Sequence, residues 1–158
     1  MPSVHRKVFL IDINVLIARC DPAHEHYETV AAWFAEHRSV GWATCPLTEN
    51  GFVRIVGNPA YPNCPGSPGA ALEALQALIG ALPNHCFFAD EISLRDSFAF
   101  PDFRGITSRQ VTDYYLLALA VHHGANFLTL DRGIDPRRIP GGPAALVVVG
   151  ESGKSRQT

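Results

Sequence analysis

Neither sign of charge is in excess in this chain: 13 Lys and Arg stand against 15 Asp and Glu, a formal net charge of −2. That balance excludes a global polyanion-binding surface, so any contact with nucleic acid has to come from a local patch. Cysteine is scarce. Cys20, Cys45, Cys64 and Cys86 are widely spaced with no CxxC pair, which points to reduced thiols in a reducing compartment rather than a disulfide framework. No apolar run approaches the roughly 20 residues of a membrane span. The N-terminal MPSVHRKVFLID enters a strand pattern directly, without the apolar core of a signal peptide. The expected location is therefore the cytoplasm, away from membranes. Internal repeats, a dinucleotide-binding glycine fingerprint and a Ser-His-Asp pattern are also missing. GESGKS at 150–155 looks like a phosphate loop, but that spacing requires glycine where Val148 stands, and too little chain follows for a helix.

What is present describes an ordinary globular protein: 158 residues and 17.2 kDa, 47% hydrophobic and 18% charged. This length predicts one domain over 1–150 with a polar tail at 151–158. Val8 to Ile11 is a continuous apolar run, the mark of a strand buried on both faces. A helix opens at Asn14, and Asp21-Pro22 reads as N-cap and first position of a second helix ending near His37. Gly41 to Cys45 reads as strand, and Pro46 starts a helix through Val56. Gly57 to Gly69 is a Pro/Gly/Asn loop. Ala70 to Leu82 reads as helix, Cys86 to Ala89 as strand, and Ser93 to Phe98 as a short helix. Thr107-x-x-Gln110 fits a capping box before a long apolar helix. Phe127 to Leu130 and Ala144 to Val149 complete the strands. Strands alternating with helices predict an α/β fold, a three-layer α/β/α arrangement with a mostly parallel central sheet.

Four acids fall at telling places on that skeleton. Asp12 closes the first strand, and Asp131 follows the apolar run Phe127-Leu128-Thr129-Leu130. Glu49 lies in the first turns of the helix after the second strand. Asp113 shares a helix face with Leu116, Leu117 and Ala120. Ligands of open α/β sheets bind beyond the carboxyl ends of the strands. Asp12, Glu49 and Asp131 are delivered there by topology, and Asp113 can join them from its helix. Taken singly, each acid is explained as an N-cap or a surface charge. Asp12 and Asp113 together, embedded in apolar sequence, are hard to explain that way. Four carboxylates in a poorly solvated cleft repel. A hard divalent cation relieves the repulsion, and oxygen-only ligands suit Mg²⁺ or Mn²⁺ better than zinc.

The segments around these acids, LIDINVLIA, CPLTENGFVRI, RQVTDYYLLALA and FLTLDRGI, resemble the PIN-domain ribonucleases. Within them the chain is similar to the VapC toxins of type II toxin–antitoxin pairs. The loop NPAYPNCPGSPGAALEAL looks like that subfamily too, so the resemblance covers roughly Val8 to Val149. It implies a PIN-like fold and a catalytic, metal-binding quartet of Asp12, Glu49, Asp113 and Asp131. Asn14 and Thr112 match positions that support the site by hydrogen bonding. The implied activity is endoribonuclease cleavage of structured or loop RNA, tRNA or rRNA, by water activated on Mg²⁺ or Mn²⁺. The implied partners are a VapB-type antitoxin and a second copy of the chain. Two other readings stay open: a haloacid-dehalogenase-like phosphohydrolase, which also uses an Asp after its first strand, and a non-catalytic PIN-like binding module whose acids recognise a partner's arginine.

This sequence departs from the family pattern at two places. Tyr114 follows Asp113 where a small residue is commoner, and is expected to narrow the cleft or offer a stacking surface. No second acid stands beside Asp131. Asp135 reads as an N-cap before Pro136 rather than a fifth ligand, and Asp102 as a turn acid. Arg109 and Arg132, with Arg104, are the candidate RNA contacts. Tyr61 and Phe103 read as local hydrophobic contacts before stacking platforms. His24, His26, His122 and His123 read as solvated or capping, because adjacent residues, or residues two apart, do not share a helix face.

Overall fold

Period-two burial along each strand separates this molecule into two cores. On β1 (Val8–Ile11), Phe9 and Ile11 face one core while Leu10 faces the other. On β2 (Gly41–Thr44), Trp42 and Ala43 divide in the same way, as do Leu128 and Phe127 on β4 (Asn126–Thr129). These strands are apolar on both sides because helices cover both sides. Each fully buried Leu, Ile or Phe contributes roughly 1.5–3 kcal/mol of burial free energy. The computed structural model describes residues 6–151. The polar tail from Ser152 onward, and with it most of GESGKS, lies outside the described residues.

The sheet has five strands, all parallel, in the order β3-β2-β1-β4-β5, with β3 spanning His85–Phe87 and β5 Leu146–Val148. From β1 the chain steps outward to β2 and β3. It then crosses back over β2 and β1 to place β4 on the far side of β1. The outward steps carry α1 (Ile13–Cys20), α2 (Tyr27–Glu36), α3 (Pro46–Val56) and α4 (Pro68–Ala81) on one face. The return carries α5 (Val111–His122), and then α6 (Gly142–Ala145), on the other. Reversing the direction of travel reverses the covered face, as right-handed crossovers demand. The layers are helix, sheet, helix, as expected from the sequence. The order also fixes a switch point: β1 and β4 are neighbours whose outgoing connections run in opposite directions, leaving a crevice beyond their carboxyl ends.

Several local expectations are corrected. The second helix starts at Tyr27, not at Asp21-Pro22. Asp21 instead caps the end of α1, and its carboxylate accepts from Ala23 N at 2.9 Å and from Tyr61 Oη and Asn63 Nδ2. His24 Nδ1 accepts from His26 N at 3.1 Å, so this stretch is a series of turns. Tyr61 is thereby a clasp between loops rather than a stacking platform. Ser93 to Phe98 is turn rather than helix, because Ser93 Oγ and Asp96 Oδ1 take backbone donors that a helix would need. The capping box at Thr107 and Gln110 is present, but it opens a 3₁₀ turn that runs into α5.

Candidate active site at the switch point

Asp12 is the residue at which β1 becomes α1. Its amide still donates to Leu128 O at 2.9 Å, continuing the β1–β4 ladder. Its carboxylate already caps α1, accepting from Ile13 N at 2.7 Å. It is therefore the N-cap that the bland reading foresaw, yet it is only 3% exposed. Its second oxygen accepts from Thr129 Oγ1 at 2.6 Å. The Asp12 carboxyl is raised to about 6: burial pushes it up, the two hydrogen bonds offset part of that, and the charge of Asp131 adds to the rise.

Thr129 is the residue the sequence reading passed over, as one member of an apolar run. Fully buried, its hydroxyl donates to Asp12, accepts from Asp131 N at 3.0 Å, and stands 3.5 Å from Asn14 Nδ2. Asn14 Oδ1 accepts from Leu130 N at 3.3 Å, so Asn14 braces the same crossing. The available signal was a hydroxyl two residues before an acid in an otherwise aliphatic strand. Asp131 lies two residues past the end of β4, and its Oδ1 accepts from Gly133 N at 2.7 Å.

Asp113 reaches this edge from the first turn of α5, on the opposite face from α1. Its carboxyl is pushed up to about 7, first by burial, then by the charges of Asp12 and Asp131, and by a hydrogen bond to Asp131. These three aspartates form an electrostatically coupled group. Thr112 sits beside Asp113, half-buried. Glu49, expected as the fourth member, occupies the first turn of α3 at the same sheet edge but is not among the charges that shift Asp12 or Asp113. Its Oε1 accepts from Thr44 Oγ1 at 2.7 Å, and that hydroxyl stands 2.9 Å from His85 Nε2. Because the single Thr44 proton goes to Glu49, His85 must donate from Nε2. Burial holds the His85 imidazole below its usual range, while Glu49 counteracts it. Thr44 and His85 were not foreseen either.

Tyr114 does not enter the cleft. It is 2% exposed, packed in the α5 core, and its hydroxyl accepts from Asp135 N at 3.1 Å. Helical geometry rotates it about 100° from Asp113, which buries the ring and leaves the acid at the edge. Asp135 caps a 3₁₀ turn by accepting from Arg137 N at 3.1 Å and also pairs with the Arg137 guanidinium. Asp102 holds the Arg104 amide and guanidinium. Phe103 packs on Phe100. Arg109 and Arg132 are exposed on the segments that carry Asp113 and Asp131.

Buried oxygens without intrinsic counter-charge are a donor set that fits a hard divalent cation. The acids are not drawn into a tight cage. Among the described residues, three donors lying within 4.8 Å of one another occur only at Glu91, His122 and His123, at the far end of α5.

A parallel α/β domain with coupled aspartates at its switch point defines a class: α/β domains with an acidic centre beyond the carboxyl ends of the strands. Relatives narrow it. The chain is 40% identical over 132 residues to Ribonuclease VapC44 of Mycobacterium tuberculosis, covering 84% of this chain and 92% of the relative. It is 42% identical over 128 residues to Ribonuclease VapC38 of the same organism, covering 79% and 86%. Ribonuclease VapC39, also from M. tuberculosis, is 37% identical over 125 residues, covering 79% and 89%. No family model matches. A solved structure, VapBC2 from Rickettsia felis bound to a DNA fragment from its promoter, shares the fold. Its TM-score is 0.56 at 12% identity, with 90% of this chain and 98% of that chain covered. The chain belongs to the VapC ribonuclease family.

Proposed function

We propose that Asp12, Asp113 and Asp131 hold Mg²⁺ or Mn²⁺ and that the protein uses it to hydrolyse RNA. As a VapC ribonuclease, the chain is a toxin endoribonuclease of a VapBC pair. The single observation that supports the metal reading is the meeting of three aspartates at the switch point, Asp12 buried and Asp113 close enough to Asp12 and Asp131 for their charges to raise its carboxyl. A bound divalent cation supplies counter-charge, polarisation of a phosphodiester, and a nucleophilic water at neutral pH. The side chains supply position. Thr129 orients Asp12 and the Asp131 backbone, Asn14 braces both, and Thr112 supports Asp113 from the adjoining position. Glu49, steadied by Thr44, lies to one side, suited to completing the cation's surroundings or orienting the attacking water. Arg109 and Arg132 are the cations nearest in sequence to these acids and are assigned to the RNA phosphates. Arg104 is a weaker contact because Asp102 already holds it.

The substrate class is structured or loop RNA, tRNA or rRNA, cut to leave a 5′-phosphate and a 3′-hydroxyl. The partners are a VapB-type antitoxin, which brings a cation to the acids, and a second copy of the chain. The proposed site of action is the cytoplasm; among the described residues no helix is long and apolar enough to cross a membrane. The phosphohydrolase reading needs a second catalytic acid two residues after Asp12. That position is Asn14, whose amide is engaged with Thr129 and Leu130. A pure binding module would bind RNA or antitoxin without turnover. The deciding experiment maps 5′-phosphate ends in RNA treated with the protein, beside Asp12→Ala and with EDTA. Discrete new ends that vanish in both controls are expected. Ends that persist in EDTA, or in Asp12→Ala, overturn the reading.

A further inference from the structure

At the opposite end of α5 from Asp113, about 13 Å away along the helix axis, a second group of ligating side chains comes together. His122 ends α5, His123 is its C-cap with φ −85° and ψ 4°, and Glu91 arrives from the connection between β3 and α5. The argument that neighbouring residues cannot share a helix face applies within a helix. His123 has left the helix, and the third donor comes from thirty-one residues upstream. One donor atom from each residue lies within 4.8 Å of the other two.

We propose that Glu91, His122 and His123 form a second cation site, for a transition metal of the Zn²⁺ class, independent of the acidic centre. Two imidazoles and a carboxylate are a borderline-soft donor set, favouring Zn²⁺ over the Mg²⁺ or Mn²⁺ suited to all-oxygen ligands. His122 Nε2 and Glu91 Oε2 are 3.1 Å apart. Metal–ligand bonds of about 2.0–2.2 Å in tetrahedral geometry separate neighbouring donors by roughly 3.3 Å. The pair already has that spacing, and exposed side chains can close the third distance.

His123 is held ready. Its ring stacks on Phe88, with centroids 4.1 Å apart and planes inclined by 12°, and its Nε2 stands 3.2 Å from the Ala89 carbonyl. A carbonyl only accepts, so Nε2 carries the proton and Nδ1 keeps the lone pair. A ligating histidine that gives its other nitrogen to a backbone carbonyl is the usual outer arrangement of metal sites. The negative end of the α5 dipole, at its C-terminus, also favours a cation. Three protein donors leave a fourth position for water or a further ligand. Occupancy pins the β3–α5 connection, which bears the fully exposed Phe98 (90%), to the end of the helix that carries Asp113.

The test uses tag-free, metal-stripped protein in which Asp12→Asn and Asp113→Asn silence the acidic centre. Zn²⁺ is titrated calorimetrically, and the histidine ring resonances are followed by NMR. One equivalent is expected to bind, moving His122 and His123 together and raising Tm, without competition from millimolar Mg²⁺. Glu91→Gln and His122→Ala should each weaken Zn²⁺ affinity by about tenfold or more and abolish the Tm gain. Affinity within twofold of the parent in both variants, or ring resonances of His122 and His123 that stay still as zinc binds, overturns the proposal. Should a variant fail to fold, the NMR result on the parent decides.

Discussion

Thr129 shows how one hydroxyl sets the behaviour of several charges. Replacing it by valine keeps shape and β-branching but removes the donor to Asp12 and the acceptor for Asp131 N. Hydrogen bonds to charged groups are worth about 1.5–3 kcal/mol, so Thr129→Val should lower kcat roughly ten- to hundredfold. Because that bond lowers the Asp12 carboxyl, its loss should also move the acid limb of the pH–rate profile to higher pH. A drop in rate with an unmoved limb would mean that Thr129 only packs.

The aspartates also make a stability prediction. Asp12 and Asp113 are raised in the folded protein to about 6 and about 7 from an ordinary value of 3.8. The folded state therefore holds more protons than the unfolded chain between roughly pH 4 and 7, and stability falls as pH rises through that window. Metal-free protein should show a higher Tm at pH 5 than at pH 8, and Asp113→Asn should flatten the difference. Adding Mn²⁺ at pH 8 should recover the lost stability. Calorimetric Tm against pH, with and without metal, checks all three outcomes.

Among the elements, β2 and β3 matter for Glu49 as β1 and β4 do for the aspartates. Thr44 ends β2 and His85 begins β3, and together they fix the glutamate on α3. Thr44→Val should reduce kcat by about tenfold, the worth of one charge-assisted hydrogen bond, with KM within twofold. Steady-state kinetics separate this from a loss of RNA affinity. A different constraint acts at the α3–α4 junction. A Cβ on Gly57 would lie 2.6 Å from both Pro68 Cα and Val53 O, backbone atoms that cannot swing away. Gly57→Ala should cost about 1–3 kcal/mol, read as a lowered urea midpoint at unchanged slope.

Element type was legible in the sequence wherever periodicity was strong. The apolar runs at Val8 and Phe127 are strands because burial on both faces leaves no polar position, and the Asp12, Asp113 and Asp131 contexts followed from that. What escaped was decided by side chains meeting across long sequence separations. Asp21 was read as a helix start, because Asp-Pro has that local preference. Its tertiary partners Tyr61 and Asn63, about forty residues away, set its role instead. Tyr114 was misjudged for a related reason: an acid's neighbour in sequence is rotated to another face of its helix. Thr129 and Thr44 hid among aliphatic residues, since a threonine in a strand ordinarily signals only β-propensity.

For the molecule as a whole, a net charge of −2 leads to the prediction that binding RNA neutralises only a handful of phosphates. Arg109→Ala and Arg132→Ala should each raise KM severalfold and shallow the salt dependence of binding by about one unit of slope. Filter binding across a salt series, on a catalytically silent background, measures this directly.

The strand order has a consequence for synthesis. Helices α1 to α4 and the first three strands can assemble along one side as the chain emerges from its N-terminus. The partner on the other side of β1 arrives only with residues 126–129, more than a hundred residues later. Asp12 is thus made well over a hundred residues before Asp131 and the Thr129 that joins them. No nascent fragment that stops short of β4 carries the complete aspartate group. A chain that acts on RNA is in this way kept from assembling its charge centre until β4 and the residues just after it have been made.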